Sequence, residues 1–184
     1  MSIISKIGVL LLITIISFFG CNNDNNDNND NVHKKHIDKK KVDEAFVKIN
    51  KAYIRVEDQQ IDDYLTRRKW NFIRTKTGLR YFIYKEGVGK KVQSEDIVTI
   101  EYTVSLIRGE EVYSSKNLGD KTFQVDNSDE PSGLHQAMKL LKVGDRAKVV
   151  IPSYLAYGLL GDDNKIPARA TLFYDIYVKK IRSK

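Results

Sequence analysis

The residues of this chain best suited to chemistry are tyrosines held in short motifs. Tyr102 sits in Val98-Thr99-Ile100-Glu101-Tyr102-Thr103, Tyr157 in Ala156-Tyr157-Gly158, and Tyr174 in Leu172-Phe173-Tyr174-Asp175. Among them stand Val143-Gly144-Asp145-Arg146-Ala147-Lys148, Ile166-Pro167 and Ala170-Thr171-Leu172. A tyrosine supplies an apolar ring and a hydrogen-bonding tip in one side chain. A group of them suits an apolar pocket with a few polar points. Conventional enzyme chemistry fits less well. There is no Gly-rich phosphate loop and no His-Glu metal helix. A Ser-His-Asp set could be picked from any chain this long, so the presence of those types carries no weight. The single cysteine, Cys21, excludes an internal disulfide and a cysteine-rich zinc site. No cofactor and no metal is implied.

The elements that must position these residues are mostly strands. From Arg80 the pattern alternates, with Tyr81 and Ile83 on one face and Phe82 and Tyr84 on the other. Glu86-Gly87-Val88-Gly89 breaks that strand. Ile97 to Leu106 is rich in branched and aromatic residues, and Arg108-Gly109-Glu110-Glu111 reads as a hairpin turn into Val112-Tyr113. Phe123 to Val125 is a further short strand. Gly133 to Leu141 carries Leu134, Ala137, Met138 and Leu141 at helical spacing, with Ser132 as candidate N-cap and Gly144 as the stop. Ala147 to Ile151 and Ala170 to Val178 complete about five strands around one short helix. So few helices cannot cover a parallel sheet, and the pattern predicts an antiparallel α+β domain.

Upstream, residues 41–70 read as helix. Val42, Ala45, Phe46, Ile49, Ala52 and Tyr53 form one apolar stripe, and Ile61, Tyr64, Leu65 and Trp70 a second. No Pro or Gly interrupts Val42 to Trp70, so one long helix and two joined helices are both allowed. The stripe either packs on its own domain or serves as a dimerisation or partner surface. Thr75 to Gly78 reads as a turn.

The N-terminus carries an address. Lys6 precedes an apolar run from Ile7 to Phe19, which is short for a bilayer span and placed where a signal peptide sits. Gly20-Cys21 at its end resembles a bacterial lipobox, in which the cysteine thiol is acylated and becomes the mature N-terminus. Asn22 to Asn31 contains only Asn and Asp and has nothing to bury, so it reads as a tether. A basic segment with Lys34, Lys35, Lys39, Lys40 and Lys41 follows, read as a solvated linker or a patch resting on anionic headgroups. The formal net charge of +7 would be compatible with nucleic acid, but the export signal and the acidic residues between the lysines and arginines argue against it. The expected location is the cell envelope, lipid-anchored at Cys21, facing the periplasm (outer membrane rather than inner) or the cell surface. The expected organisation is signal peptide 1–20, tether 21–40, helical extension 41–76 and folded domain 77–184.

Taken in order and at these separations, the motifs from Val98 to Leu172 resemble the FKBP-type peptidyl-prolyl isomerases. The resemblance covers roughly residues 79–184. Over the N-terminal part the chain also looks similar to isomerase lipoproteins associated with gliding motility. The resemblance implies a twisted antiparallel sheet curled across one short helix, and clients that are proline-containing polypeptides. It implies Tyr102, Phe123, Tyr157 and Tyr174 as catalytic residues, with Val112, Tyr113, Leu134 and Ile166 lining the substrate site. Tyr157 matches the tyrosine whose hydroxyl bonds a substrate carbonyl, Leu134 the pocket floor and Ile166 the flap isoleucine. Each aromatic also has a plain reading as core.

Rotation about an X-Pro bond must lose amide resonance, a barrier of about 18–20 kcal/mol. A dry aromatic cavity favours the twisted, less polar amide, and a few donors hold the flanking carbonyls. Three positions depart from the family pattern. Tyr113 stands where the resemblance implies an aspartate that accepts from Tyr102. Pro131 falls on, or within one residue of, a position whose backbone N–H binds substrate, and proline has none. Val112 replaces a usual phenylalanine. Two functions follow: an isomerase assisting the folding of exported proteins, or a non-catalytic binding or scaffold lipoprotein of an envelope machine such as a gliding-motility apparatus.

Overall fold

The computed structural model describes residues 38–183, which form one compact unit. The expected signal peptide, Cys21 and the Asn/Asp-rich tether lie outside the described residues. A single helix, α1 (Lys39–Arg68), opens the unit. The Asp38 side chain accepts a hydrogen bond from the Lys40 N–H at 3.0 Å, satisfying one of the free donors of the first turn. Arg67 and Arg68 sit in the last turn, where the helix dipole favours cations, and Lys69 ends it at φ 54°.

Seven strands follow: β1 (Ile73–Arg74), β2 (Arg80–Lys85), β3 (Ile97–Leu106), β4 (Glu111–Ser114), β5 (Lys121–Gln124), β6 (Arg146–Ile151) and β7 (Leu172–Arg182). Two short helices, α2 (Ser115–Leu118) and α3 (Ser132–Met138), and one 3-10 turn (Ser153–Leu155) stand among them. All pairings are antiparallel, in the order β1-β2-β6-β7-β3-β4, with β5 also on β3. β3 is the centre. One edge pairs along its length with β7, and the other is shared by β5 at Ile97–Ile100 and β4 at Thr103–Ser105. The two-residue β1 was not legible in the alternation.

The period of two sorts each strand between two apolar clusters. Ala147, Val149 and Ile151 of β6 and Leu172, Tyr174, Ile176 and Val178 of β7 face the main core, closed by Leu134, Ala137 and Met138 of α3. Val150 and Phe173, one residue out of phase, face a second cluster with Ile61, Tyr64 and Leu65 of α1. The C-terminal half of α1 thus covers the back of the sheet. Arg80 fixes it there: 1% exposed, it donates to Asp58 Oδ1 at 2.8 Å, Asp62 Oδ1 at 2.9 Å and the Gly78 carbonyl at 2.5 Å. The expected boundary between residues 76 and 77 therefore does not separate two packing units.

One local detail differs from expectation. Pro131, not Ser132, caps α3. The Pro131 carbonyl accepts from the Leu134 N–H at 2.8 Å, while the Ser132 hydroxyl reaches out to the Leu155 carbonyl at 3.4 Å. Asp145, 1% exposed, belongs to the turn between α3 and β6. Its carboxylate accepts from the Gly87 N–H at 2.6 Å and the Lys142 N–H at 2.9 Å, so this part of the motif serves the fold.

Candidate functional site

Six elements converge on one end of the main core. β3 brings Tyr102, β4 Val112 and Tyr113, β5 Phe123, α3 Leu134 and β7 Tyr174, and the loop of residues 152–171 between β6 and β7 brings Tyr157 and Ile166. All eight expected site residues belong to this cluster. Tyr102, Val112, Phe123, Leu134, Ile166 and Tyr174 are buried, while Tyr113 and Tyr157 are half-buried. Register explains the grouping. Tyr113 and Tyr174 lie on either side of Val104, and Phe123 pairs with Val98. The Ser115 hydroxyl clamps the Tyr102 backbone, accepting from its N–H at 3.1 Å and donating to its carbonyl at 3.2 Å.

The two loop residues are set by backbone turns. The Ser153 carbonyl accepts from the N–H groups of Ala156 at 3.0 Å and Gly158 at 2.8 Å, bracketing Tyr157. Gly161 has φ +82°, and a Cβ there would lie 2.2 Å from the Ile166 carbonyl oxygen, so only glycine allows this closure. Asp162 completes it. Its carboxylate accepts from the N–H of Asn164 at 3.0 Å, from that of Ile166 at 2.7 Å and from the Tyr113 hydroxyl at 2.5 Å.

That last bond gives the Tyr113 hydroxyl a carboxylate on the facing loop, but it supplies no acceptor to Tyr102. Asp162 is a residue that sequence reasoning missed. Its signal was local: an aspartate between Gly161 and Ile166 is placed to close a turn. His135 was also missed. Its ring lies edge-on to Phe123, with centroids 5.7 Å apart, and Nδ1 accepts from the Asp126 N–H at 3.0 Å, which leaves Nε2 to donate to the Ser128 carbonyl at 3.2 Å. Glu130 is the third, paired with Lys121 at 2.8 Å, whose Nζ lies 5.5 Å from the Tyr102 ring centroid. Nothing in the periodicity distinguished Glu130 from an ordinary loop carboxylate.

Electrostatics keep the phenols neutral. Burial, with the fields of Glu130 and Asp162 and of the Tyr113 and Tyr102 phenols, pushes Tyr157 up to about 12. Burial likewise raises Tyr174 well above the usual tyrosine value. Burial alone would raise the Asp162 carboxyl, but the bonds from Tyr113 and from the backbone of Ile166 and Asn164 outweigh it and hold the group below the ordinary aspartate value. The cluster therefore offers hydroxyl donors on apolar walls and no ready base. Among the described residues no three His, Cys, Asp or Glu side chains group as a metal site. A separate groove of about 1150 Å³ runs between α1 and the outer side of the loop, and none of the eight expected residues lines it.

Comparison with known proteins gives the cluster a context. The family model for FKBP-type peptidyl-prolyl cis-trans isomerases matches residues 89–179. The probable FKBP-type isomerase FkpA of Neisseria meningitidis serogroup B is 44% identical over 108 residues, covering 58% of this chain and 39% of that protein. FkpA of Buchnera aphidicola subsp. Baizongia pistaciae is 38% identical over 111 residues, covering 60% and 43%. The crystal structure of FkpA from Escherichia coli superposes with a TM-score of 0.62 at 28% identity, covering 76% of this chain and 65% of that one. The chain thus spans about two fifths of the length of the curated relatives named here. Residues 89–179, which hold seven of the eight converging side chains on strands and turns and Leu134 on the central helix, are an FKBP-type peptidyl-prolyl cis-trans isomerase domain.

Proposed function

We propose that this protein is a peptidyl-prolyl cis-trans isomerase acting on proline-containing polypeptides of the cell envelope. The observation that carries the reading is the packing of half-buried Tyr157 against the buried side chains of Tyr102, Phe123, Leu134, Ile166 and Tyr174. The apolar wall disfavours the strongly dipolar planar amide and so favours the twisted one. The Tyr157 hydroxyl donates to a flanking carbonyl. Tyr113 and Asp162 hold the rim, Val112 stands in the wall and Leu134 forms the floor. Pro131 supplies no N–H, so substrate is held by side chains more than by that strand of backbone. The named relatives are isomerases, which supports catalysis over a non-catalytic scaffold.

The test is a prolyl-isomerisation assay on a Leu-Pro peptide with the full chain. The wild type accelerates exchange above background. Tyr157→Phe lowers kcat/KM about fivefold, the equivalent of one hydrogen bond of about 1 kcal/mol, and Tyr157→Ala lowers it further by removing the wall. Because the Tyr157 proton leaves only near pH 12, kcat stays flat as pH rises from 6 to 9. A rate that climbs with a phenolate titration in that window, or no rate above background, removes the reading.

The anchor and assembly belong to the same proposal. Acylation at Cys21 would hold the domain at an envelope membrane, with the outer membrane as the favoured site. Fatty-acid labelling that Cys21→Ser abolishes supports this, and equal labelling of both forms removes it. The exposed stripe of Phe46, Ile49 and Tyr53 on α1 suits a second copy of the chain.

A further inference from the structure

The loop that carries Tyr157 and Ile166 runs for twenty residues between two paired strands, and its two feet are Ser153 and Thr171. Neither foot is held by the sheet alone. The Glu57 carboxylate of α1 reaches both. One oxygen accepts from the Ser153 N–H at 2.6 Å and the Thr171 hydroxyl at 2.5 Å, and the other accepts from the Ser153 hydroxyl at 2.9 Å. The Ser153 N–H opens the 3-10 turn and would lack an intrahelical partner, so Glu57 caps that turn from a different element. The Ser153 carbonyl then accepts from Ala156 and Gly158, the neighbours of Tyr157. A second contact repeats the pattern: the Arg169 guanidinium lies 3.6 Å from the Tyr53 ring centroid, while the Arg169 N–H donates to the Gly158 carbonyl at 2.7 Å. The helix itself cannot drift, because its next turns are bonded to buried Arg80 and packed on Val150 and Phe173.

From this chain of contacts we infer that Glu57 is a positioning residue for the candidate site: helix α1 holds the Tyr157 loop in its working conformation through one carboxylate bonded to both feet. The inference rests on the isomerase reading above. It also makes α1 part of the catalytic unit and not only an extension to it. Charge-assisted bonds of this kind are stronger than neutral ones, and a loop displaced by an ångström loses catalysis out of proportion to the bond removed.

The test compares Glu57→Ala, Glu57→Gln and Thr171→Val in the full chain, by isomerisation of a Leu-Pro peptide and by amide hydrogen exchange. Glu57→Ala should lower kcat/KM about tenfold, mainly in kcat, with faster exchange at Ala156 and Gly158 and unchanged exchange in β3 and β7. Glu57→Gln, which keeps an acceptor for the Ser153 N–H, should restore activity to within about twofold of wild type. Thr171→Val should fall between the two, and it carries the test if Glu57→Ala does not fold. A Glu57→Ala protein with a lowered unfolding midpoint but wild-type kcat and wild-type exchange at Ala156 and Gly158 would overturn the inference, leaving Glu57 a merely structural bond. A wild type without activity sinks the isomerase reading instead. The exchange of Ala156 and Gly158 in Glu57→Ala then decides the positioning role of Glu57 alone.

Discussion

The two halves of α1 carry the same kind of sequence and meet opposite fates. Phe46 and Ile49 in the first half are 61% and 50% exposed, whereas Ile61 in the second is fully buried. Both halves repeat apolar residues at three- and four-residue spacing. The difference lies in what faces them. The second half meets Val150 and Phe173 on the back of the sheet, with Arg80 locked between Asp58 and Asp62. The Arg68 guanidinium also lies over the Tyr64 ring, 3.5 Å from its centroid, near the end of the helix. Among the described residues, the first half belongs to neither buried cluster. Amphipathicity therefore identifies a helix and a sticky face, and the partner of that face is decided elsewhere.

Truncation should break this comparison most visibly. A chain starting at residue 53 keeps every contact of the second half and should unfold cooperatively near the full-length midpoint. A chain starting at residue 76 exposes Val150 and Phe173 and leaves Arg80 without both carboxylates, and it should lose cooperative unfolding or aggregate. Equal midpoints for the two would show that the helix contributes nothing to the core. The same residue type can then be compared across the halves. Ile61→Ala should cost about 2–5 kcal/mol in denaturant unfolding, and Ile49→Ala less than about 0.5 kcal/mol in dilute solution.

A subtler change concerns the exposed half alone. If a second copy covers it, Phe46→Glu should shift sedimentation toward the monomer while leaving the unfolding midpoint of the dilute chain unchanged. A monomeric wild type at high concentration removes that partner. A small effect should fall at the border between the halves, and none beyond it. Tyr53→Ala removes the contact with Arg169 and should cost about 0.5–1 kcal/mol. Phe46→Ala in the same dilute assay should cost nothing measurable.

Much of the domain was legible because alternation reports burial directly. β3 spans Ile97–Leu106 as the pattern predicts, and the two faces of β2 separate as expected, with Tyr81 and Ile83 on the main core, Phe82 against Phe72, and Tyr84 donating to Asp175. The tyrosine-bearing motifs marked the site for a similar reason: each sits where a strand or turn must present a large side chain to one common core. Asp162 showed only its turn-closing role, because its bond from Tyr113 spans 49 residues, and Glu130 and His135 were not legible, because their bonds to Lys121 and Asp126 cross a loop that no periodicity reports.

By itself the sequence determined the alternating strands, the short central helix, a helical stretch upstream that the lack of Pro and Gly left free to run as one helix or two, and the aromatic composition of the site. These follow from local sterics and from a periodicity that each segment carries alone. Only the tertiary structure decided which half of α1 is buried, which carboxylate answers Tyr113, and that Glu57 spans Ser153 and Thr171. Those outcomes depend on hydrogen bonds and packing between segments far apart in the chain, 49 residues for Tyr113 and Asp162 and 114 for Glu57 and Thr171. Many polar residues along the chain could make such bonds, and only the folded geometry selects the few that do.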